Sequence, residues 1–287
     1  MAQDDPPDDL QADLLRRGLM APSGKFQPLL GGRTNRVWKL VGSGPDRVLK
    51  LYQRAVPNPL FGNDPALETL CLNALATTGL CPKFRASGQI PNADWVLYEH
   101  TVGQTWARDT GAVAGLLGKL HKLTPPLALP NGCNGSADLE VATHRILSLC
   151  QSDERVRLKN LRPSDTIPPT QATCLIHGDP VAGNILVNGP SLVLIDWQCP
   201  AFGDPAEDLA LFLSPAMMQV YRGVPLDPNE THAFLAAYPD QQTTARYEAL
   251  RPWFAWRMAA YCLWRAENGS AEYSHGLSLE RDLLEAG

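Results

Sequence analysis

The sequence predicts an α+β fold in two lobes, with a small N-terminal antiparallel sheet plus one helix and a larger, mainly helical C-terminal lobe. Three observations lead to this prediction. Short apolar runs separated by turn residues fill the chain up to residue 98, as in antiparallel strands. Apolar residues recur at helical spacing from residue 110 onward. Three short apolar runs within 174–195 interrupt the helical part and enclose a polar loop.

The N-terminal lobe opens with an acidic, proline-containing stretch, residues 1–8, for which we predict disorder. A helix is predicted over 9–19 and another over 64–77, where Pro65 marks a first helical position. The predicted strands are 26–30, 36–41, 47–52, 84–89 and 95–98. Together these elements make up a predicted lobe of residues 1–98.

The C-terminal lobe, residues 99–287, is predicted to hold helices over 110–123, 139–161, 229–238 and 243–268. The apolar runs 174–176, 185–187 and 192–195 are predicted strands, and an Asn-Gly-Pro turn at 188–190 joins the last two as a hairpin. Acidic residues near the C-terminus are predicted to lie on a solvated tail: Glu272, Glu280, Asp282 and Glu285.

Composition and charge narrow the function classes. The net charge of −5 and the lack of a basic stripe argue against a nucleic-acid partner and are compatible with a cationic substrate. The seven cysteines form no C-x-x-C pair, a pattern typical of reduced thiols in a cytosol. No apolar run approaches ~18 residues, and the acidic N-terminus is unlike a signal peptide. We therefore predict a cytoplasmic protein without a membrane partner and leave its oligomeric state open.

The polar loop and the end of the third apolar run carry residues suited to phosphoryl transfer. That reaction needs a carboxylate to orient or accept the hydroxyl proton, and oxygen ligands to hold Mg²⁺ against the phosphates. Asp179 and Asn184 have the separation found in the H-R-D-x-x-x-x-N loop of protein kinases, and Asp196 follows the next strand. Such residues are also common turn formers, but all three at this spacing favour catalysis.

Together with His177, these residues resemble the H-x-D-x-x-x-x-N loop and the I-D-W/F segment of the aminoglycoside phosphotransferase and choline kinase superfamily. The resemblance points to bacterial choline/ethanolamine kinase-like and thiamine kinase-like proteins. Gly178 in place of Arg, and Ile-Asp-Trp in place of Asp-Phe-Gly, favour these small-molecule kinases over protein kinases. The resemblance implies a protein-kinase-like fold, ATP and Mg²⁺ as cofactors, and phosphorylation of a small-molecule alcohol. A preference for ATP over GTP is left open.

The resemblance also implies a role for each residue. Asp179 would orient the substrate hydroxyl and accept its proton, and His177 would brace the loop by hydrogen bonding. Asn184 and Asp196 would bind Mg²⁺. Asp208, in a Gly-Asp-Pro-Ala-Glu-Asp-Leu-Ala run, is predicted to be structural and to hold the catalytic loop.

A glycine-bearing turn between the first two strands is the predicted phosphate loop. Gly31, Gly32, Thr34 and Asn35 belong to a Gly-Gly-x-Thr-Asn-x-Val-Trp-Lys-Leu run that resembles the nucleotide loop of choline kinase-like and thiamine kinase-like proteins. Glycine lets backbone N–H groups approach phosphates closely. A plain hairpin turn gives the same pattern, so this run alone does not specify nucleotide binding.

The same resemblance assigns the remaining nucleotide contacts. Kinases place a lysine on the third strand to reach the phosphates and pair it with a helix glutamate. Lys50 and Glu68 are assigned these roles, with Lys39 on the preceding strand as the rival lysine. The structural alternatives are an exposed edge strand and a solvated helix position. Glu99 and His100 occupy the place where kinases join their lobes and bind adenine through backbone groups.

Several small alcohols are candidate substrates. An amino alcohol such as choline or ethanolamine is suggested first, by the general resemblance and by an aromatic stripe between Leu250 and Trp264. Such a stripe is more often core packing than a cation-binding cage. Thiamine is suggested by the Gly-Gly-x-Thr-Asn run, and an aminoglycoside is a further alternative.

Two other function classes are weighed against a small-molecule kinase. A non-catalytic pseudokinase that binds nucleotide is disfavoured because Asp179, Asn184 and Asp196 are all present. Protein kinase activity is disfavoured because the sequence has neither an Asp-Phe-Gly nor an Ala-Pro-Glu segment.

Overall fold

A computed structural model describes residues 5–29, 34–53 and 58–286. Over these ranges the architecture is the predicted α+β arrangement, with an antiparallel sheet in the N-terminal region and helices in the C-terminal part. Within the same ranges, no helix is both long and apolar enough to cross a bilayer. The predicted lobe boundary between residues 98 and 99 stays a prediction.

A five-stranded antiparallel sheet forms the N-terminal part. Its strands are β1 (Lys25–Pro28), β2 (Arg36–Val41), β3 (Arg47–Gln53), β4 (Phe84–Ile90) and β5 (Ala93–Glu99). They are ordered β1-β2-β3-β5-β4, so β3 lies at the centre. The turn from β2 to β3 uses Gly42 and Gly44 at φ of 78° and 94°, a backbone region that glycine enters without steric cost.

The two faces of this sheet bury different partners. One face packs against helix α1 (Asp8–Arg16), which begins at the last residue of the segment predicted to be disordered. The buried residues of this layer are Leu10, Leu14, Trp38, Leu49 and Trp95. The other face, with Val48 and Tyr98, joins helix α2 (Pro65–Ala74) and the core of the C-terminal part. Side chains that point to this second face therefore lie between the two parts of the protein.

Helix α2 starts at the predicted position because its N-terminus is well capped. The Asp64 carboxylate accepts hydrogen bonds from the N–H groups of Ala66 at 2.8 Å and Leu67 at 3.2 Å. Pro65 takes the first helical position, where a missing N–H costs nothing. This cap places Glu68 in the first turn, where it is buried against the sheet.

The C-terminal part contains eight of the helices and five short strands of the described chain. The helices are α3 (Thr110–Leu120), α4 (Ser136–Ser148), α5 (Glu154–Asn160), α6 (Ala206–Leu213), α7 (Pro215–Arg222), α8 (Pro228–Ala237), α9 (Gln241–Glu267) and α10 (Tyr273–Ala286). The strands are β6 (Gln104–Thr105), β7 (Cys174–Ile176), β8 (Ile185–Asn188), β9 (Ser191–Leu194) and β10 (Ala201–Gly203).

The short strands position the polar loop. β8 and β9 form the predicted hairpin, with Ile185 opposite Leu194. β7 instead pairs with β10, so that Cys174 lies opposite Gly203. The loop 177–184 therefore leaves one small sheet and enters another, which fixes both of its ends.

The aromatic stripe of α9 is core packing. Its large rings are buried: Trp253, Trp256, Tyr261 and Trp264. The indole N–H groups of Trp253 and Trp256 donate to the backbone carbonyls of Asp165 at 2.9 Å and Leu158 at 2.6 Å. Buried rings with satisfied polar atoms stabilise the fold.

The single helix predicted over 139–161 is wrong, because the structure has α4 and α5 with a break between them. At this break the N–H groups of Gln151 and Ser152 donate to the Glu267 carboxylate at 2.7 and 2.9 Å. A partner more than a hundred residues away thus replaces the helical hydrogen bonds.

The prediction that Glu280 lies on a solvated tail is also wrong, because this residue lies on α10 and is 2% exposed. Its carboxylate accepts hydrogen bonds from Ser214 Oγ at 2.5 Å and from the N–H of Ala216 at 3.2 Å. These contacts hold α10 against the start of α7. The acidic side chain is therefore a structural acceptor inside the fold.

Candidate active site

The loop between β7 and β8 brings Asp179 and Asn184 into direct contact. Asn184 Nδ2 donates to the backbone oxygen of Asp179 at 2.9 Å and to its Oδ2 at 3.1 Å. A 3₁₀ turn over Ala182–Asn184 brings the amide back onto the carboxylate. Because Asn184 uses its N–H groups here, its carbonyl oxygen remains as the atom that can serve a cation.

Asp179 is a stronger base than an ordinary aspartate. Burial, and next the negative charge of Asp196, raise the pKa of Asp179 well above its usual value. The hydrogen bond from Asn184 acts in the opposite direction but does not cancel this rise. A carboxylate with a raised pKa suits proton abstraction from an alcohol.

His177 is fully buried and held in one protonation state. Its Nδ1 accepts the N–H of Asp179 at 3.2 Å, so the proton resides on Nε2, which faces the Ile195 carbonyl at 3.1 Å. Burial lowers the pKa of His177. The centroid of its ring lies 4.5 Å from that of the Trp197 ring. Both ring nitrogens are used within the protein, which fits a bracing role and leaves neither for proton transfer to a substrate.

The Asp208 carboxylate anchors the start of the same loop. It accepts the N–H groups of His177 at 2.8 Å and Gly178 at 2.9 Å. It also contacts His121 Nε2 at 3.0 Å, while His121 Nδ1 lies 2.7 Å from the Tyr238 hydroxyl. Asp208 is fully buried, so these contacts are shielded from water. Helices α3, α6 and α8 thereby fix the backbone from which Asp179 projects.

Lys50, Glu68 and Asp196 form a charged cluster on the inner face of the sheet. Lys50 Nζ lies 3.0 Å from Glu68 Oε2 and also contacts Asp196 Oδ1. Although burial works against a charged ammonium, the carboxylates of Asp196 and Glu68 raise the pKa of Lys50 above its usual value. Asp196, two residues past the end of β9, adopts a φ of 69°, and its partly exposed carboxylate contacts the lysine. The lysine is therefore protonated and pre-positioned.

The rival lysine is placed differently. Lys39 Nζ pairs with Asp46 at 2.7 Å near the surface, with 23% of the lysine side chain exposed. Lys50 by contrast is 3% exposed and contacts both carboxylates of the charged cluster. The geometry therefore favours Lys50 as the phosphate-binding lysine.

A cleft of about 490 Å³ opens beside this cluster. One end is polar and contains Lys50, Asn184 and Asp196. The remaining walls are mostly apolar and come from both parts of the protein: Val37, Val48, Tyr98, Leu186, Ile195 and Val220. Apolar walls that end in a cationic group suit a planar base carrying a phosphate chain.

The two predicted lobe-junction residues differ in position. His100 lines the cleft, but its backbone N–H already donates to the Asp46 carbonyl at 3.0 Å. The Glu99 carboxylate pairs with Arg85 and is not among the residues that line the cleft. Thr101, which the sequence reasoning did not single out, also lines the cleft. The predicted adenine contacts stay predictions, and Thr101 is an additional candidate.

Only part of the predicted phosphate loop lies within the described residues. Gly31 and Gly32 lie outside the described residues. Thr34 is described and half-buried, but does not line the cleft. The Asn35 side chain turns away from the cleft and donates to Asn63 Oδ1 at 2.7 Å and to Gln198 Oε1 at 2.9 Å.

A second cavity, of about 950 Å³, lies beside the start of the loop 177–184, where Gly178 is among its lining residues. Its lining includes Phe61, Asn63, Gly178, Gln198, Cys199 and Arg257. Arg257 is buried there and forms a two-point ion pair with Glu207, at 2.8 and 3.0 Å. Sequence reasoning missed Asn63 and Gln198. Each is a polar residue beside a recognisable motif: Asn63 precedes the helix cap Asp64, and Gln198 follows the Ile-Asp-Trp segment.

Comparisons with known proteins agree with this geometry. The phosphotransferase enzyme family matches residues 25–253. A thiamine kinase of Escherichia coli O81 (strain ED1a) is 27% identical over 203 residues, which cover 63% of this chain and 67% of that protein.

Solved structures show the same fold. A choline/ethanolamine kinase family protein from Mesorhizobium loti has a TM-score of 0.64 at 16% identity, covering 96% of this chain and 95% of that one. A thermostable mutant of aminoglycoside phosphotransferase APH(4)-Ia, in ternary complex with AMP-PNP and hygromycin B, has a TM-score of 0.67 at 13% identity, covering 97% and 99%. Because the family match extends over more than half of the sequence, the chain belongs to the phosphotransferase enzyme family and is a small-molecule phosphotransferase.

Proposed function

We propose that the protein transfers the γ-phosphoryl group of MgATP to a hydroxyl group of thiamine or a closely similar alcohol. The observation that carries the proposal is the position of the catalytic loop between the two cavities. Gly183 and Asn184 line the first cleft, and Gly178 lines the second cavity. Asp179 lies between these residues in the chain, which supports its assignment as the group that receives the acceptor's proton beside the donor phosphate.

The first cleft is the proposed nucleotide site. Its apolar walls would hold the base, and Lys50, kept in place by Glu68, would bind the α- and β-phosphates. Asn184 and Asp196 offer an amide oxygen and a carboxylate, hard ligands that fit Mg²⁺. When bound there, the ion would neutralise negative charge on the phosphates.

The proposed chemical step uses Asp179 as the general base. The substrate oxygen attacks the γ-phosphorus as its proton passes to the Asp179 carboxylate. The bond from the γ-phosphorus to the β–γ bridging oxygen breaks, and ADP leaves with that electron pair. The contact from Asn184 Nδ2 to Asp179 Oδ2 holds the carboxylate during this transfer. Lys50 stabilises the charge that develops on the leaving ADP.

The second cavity is the proposed acceptor site, and thiamine is the first candidate. Thiamine kinases resemble this chain over 203 residues. A cavity of about 950 Å³ suits a drug-sized molecule better than a small amino alcohol. Choline or ethanolamine is the second candidate, because a protein of that kinase family shares the fold. It ranks lower because the α9 rings that could form an ammonium cage are buried in the core.

A panel of acceptors tests the assignment. Purified protein would be incubated with MgATP or MgGTP and thiamine, choline, ethanolamine, homoserine or hygromycin B, and the phosphorylated product identified by mass spectrometry. We expect thiamine monophosphate to form. Product from choline with none from thiamine would replace thiamine by an amino alcohol. Binding of AMP-PNP without transfer to any acceptor would favour the pseudokinase alternative.

A further inference from the structure

Three side-chain amides meet at the edge of the acceptor cavity. Asn35 Nδ2 donates to Asn63 Oδ1 at 2.7 Å, and Asn63 Nδ2 donates back to Asn35 Oδ1 at 3.0 Å. Asn35 Nδ2 also donates to Gln198 Oε1 at 2.9 Å. Asn35 therefore joins the other two amides, and we call this cluster of three residues the amide latch.

The latch is shielded from water. Asn35 is 8% exposed and Gln198 is 4% exposed, while Asn63 is half-buried. Buried amides that lose a partner are left unsatisfied, which is more costly than losing a hydrogen bond at the surface. The cluster thus has a strong preference for one arrangement of the three chain segments that carry it.

Two of those segments carry the carboxylates of the charged cluster, and the third leads into β2, which pairs with the strand of Lys50. Asn35 immediately precedes β2, and Asn63 immediately precedes Asp64, the cap of α2. Gln198 follows Asp196 by two residues, and its backbone carbonyl accepts the N–H of Asp64 at 3.1 Å. The latch therefore ties the helix that carries Glu68 to the segment that carries Asp196 through Asn35, beside the direct backbone contact between Asp64 and Gln198.

Close backbone packing reinforces this junction. A Cβ atom at Gly62 would lie 3.4 Å from the Cβ of Cys199, so these two segments are already in contact. Lys50 bridges the same two segments from the sheet, through Glu68 and Asp196. A shift between α2 and residues 196–199 would separate the two carboxylates that position the lysine.

We propose that Asn35, Asn63 and Gln198 are positioning residues for phosphoryl transfer, which keep Glu68 and Asp196 at the separation that Lys50 needs. The inference rests on the phosphotransferase activity of the protein and is independent of the identity of the acceptor. Opening the latch lowers kcat more than it changes the KM for the acceptor, because the residues act through the phosphate-binding cluster.

Amide chemistry gives a specific test. Asn35→Asp leaves a side chain that only accepts, and the Asn63 and Gln198 amides can turn their N–H groups toward it. Gln198→Glu also only accepts, and Asn35 can donate to it. Each single variant therefore keeps all three side chains linked, although Asn35→Asp gives up the hydrogen bond that Asn35 donates to Asn63 Oδ1. The double variant brings two acceptor-only carboxylates together and breaks the latch.

The measurement is ADP release from MgATP, with and without acceptor, together with AMP-PNP affinity and Tm. We expect each single variant to retain kcat within about threefold, and the double variant to fall at least about tenfold below the product of the two single effects. The matched control pairs Gln198→Glu with Asn73→Asp. Asn73 is an exposed amide on α2 that donates to the Thr69 carbonyl, so this double variant has the same charge without the contact.

The control double variant should equal the product of its single effects. Equal behaviour of the two double variants, or a latch double variant that is simply multiplicative, would overturn the proposal. Because ADP release without acceptor is measured throughout, a failed thiamine assignment does not affect this result. If the Asn35→Asp/Gln198→Glu protein does not fold, the same coupling is measured with Asn35→Ala and Gln198→Ala, whose kcat effects should be strongly non-additive.

Discussion

The ammonium of Lys50 lies 3.0 Å from the carboxylate of Glu68, and both side chains are almost completely buried, at 3% and 1% exposure. An ion pair so shielded from water is strongly coupled, because removing one partner leaves the other charged and desolvated. In this protein the lysine has a second carboxylate, Asp196, which lines the first cleft. Glu68 and Asp196 together therefore hold the Lys50 ammonium in place.

Glu68→Gln should weaken nucleotide use without abolishing folding, since Asp196 still compensates Lys50. We expect the KM for MgATP to rise roughly tenfold, because the buried ion pair with Lys50 is replaced by a weaker hydrogen bond from the ammonium to an uncharged amide. Steady-state kinetics at varied MgATP would measure this change. Lys39→Met is the control: its surface pair with Asp46 predicts less than about a twofold effect. The opposite ranking of these two variants would transfer the phosphate-binding role to Lys39.

Asp208→Asn should impair both stability and turnover. The amide that replaces one carboxylate oxygen faces N–H groups of His177, Gly178 or His121, and buried donors are left unpaired. We expect a loss of about 1–3 kcal/mol in the free energy of unfolding and a clear drop in kcat. Urea denaturation and kinetics would report the two effects.

The matched control for Asp208 is Asp240→Asn. Asp240 caps α9 through the N–H groups of Gln242 and Thr243, away from the catalytic loop. Asparagine is also a good cap, so this variant should keep kcat. An Asp208→Asn protein with wild-type kcat would show that the carboxylate does not hold the catalytic loop.

The stability of the protein should depend on pH through Glu280. Burial raises the pKa of Glu280 from 4.5 to about 7, although Ser214 Oγ and the Ala216 N–H both donate to it. The folded state therefore binds more protons than the unfolded state between pH 4.5 and 7. Stability from this group is greatest below pH 4.5 and declines as the pH rises to 7.

Glu280→Gln keeps the acceptor oxygen and removes the titration. Relative to wild type, we expect this variant to gain stability from pH 5 to pH 8, by up to about 3 kcal/mol. Chemical denaturation at several pH values would measure the difference, with Glu285→Gln on the exposed side of α10 as the control. A difference between wild type and Glu280→Gln that does not change with pH would contradict the raised pKa.

Much of the fold follows from local sequence. The Asn-Gly-Pro run at 188–190 predicts the β8–β9 hairpin, in which Asn188 pairs with Ser191 and Gly189 and Pro190 form the turn. Asp64 with Pro65 specifies the start of α2. These features depend on residues a few positions apart, so a single sequence reveals them.

Other features depend on contacts between distant residues. Glu267 accepts hydrogen bonds from the backbone N–H groups at the break between α4 and α5. Glu280 is buried because α10 packs on α9 and α7. The amide latch joins Asn35 to Gln198, 163 residues away. No pattern of neighbouring residues identifies such distant partners. The sequence therefore predicts a solvated acidic tail at Glu280 and a continuous helix over 139–161.

Single-turnover phosphorylation of the acceptor identified in the panel, with Asp179→Asn beside the wild type, shows whether Asp179 is the general base. The variant can still accept the Asn184 hydrogen bond but cannot take a proton from an alcohol. We expect the chemical rate to fall at least about 100-fold, while AMP-PNP affinity changes less than about threefold. Asp227→Asn, in the cap of α8, should leave both quantities unchanged. A chemical rate near wild type in Asp179→Asn would exclude Asp179 as the general base.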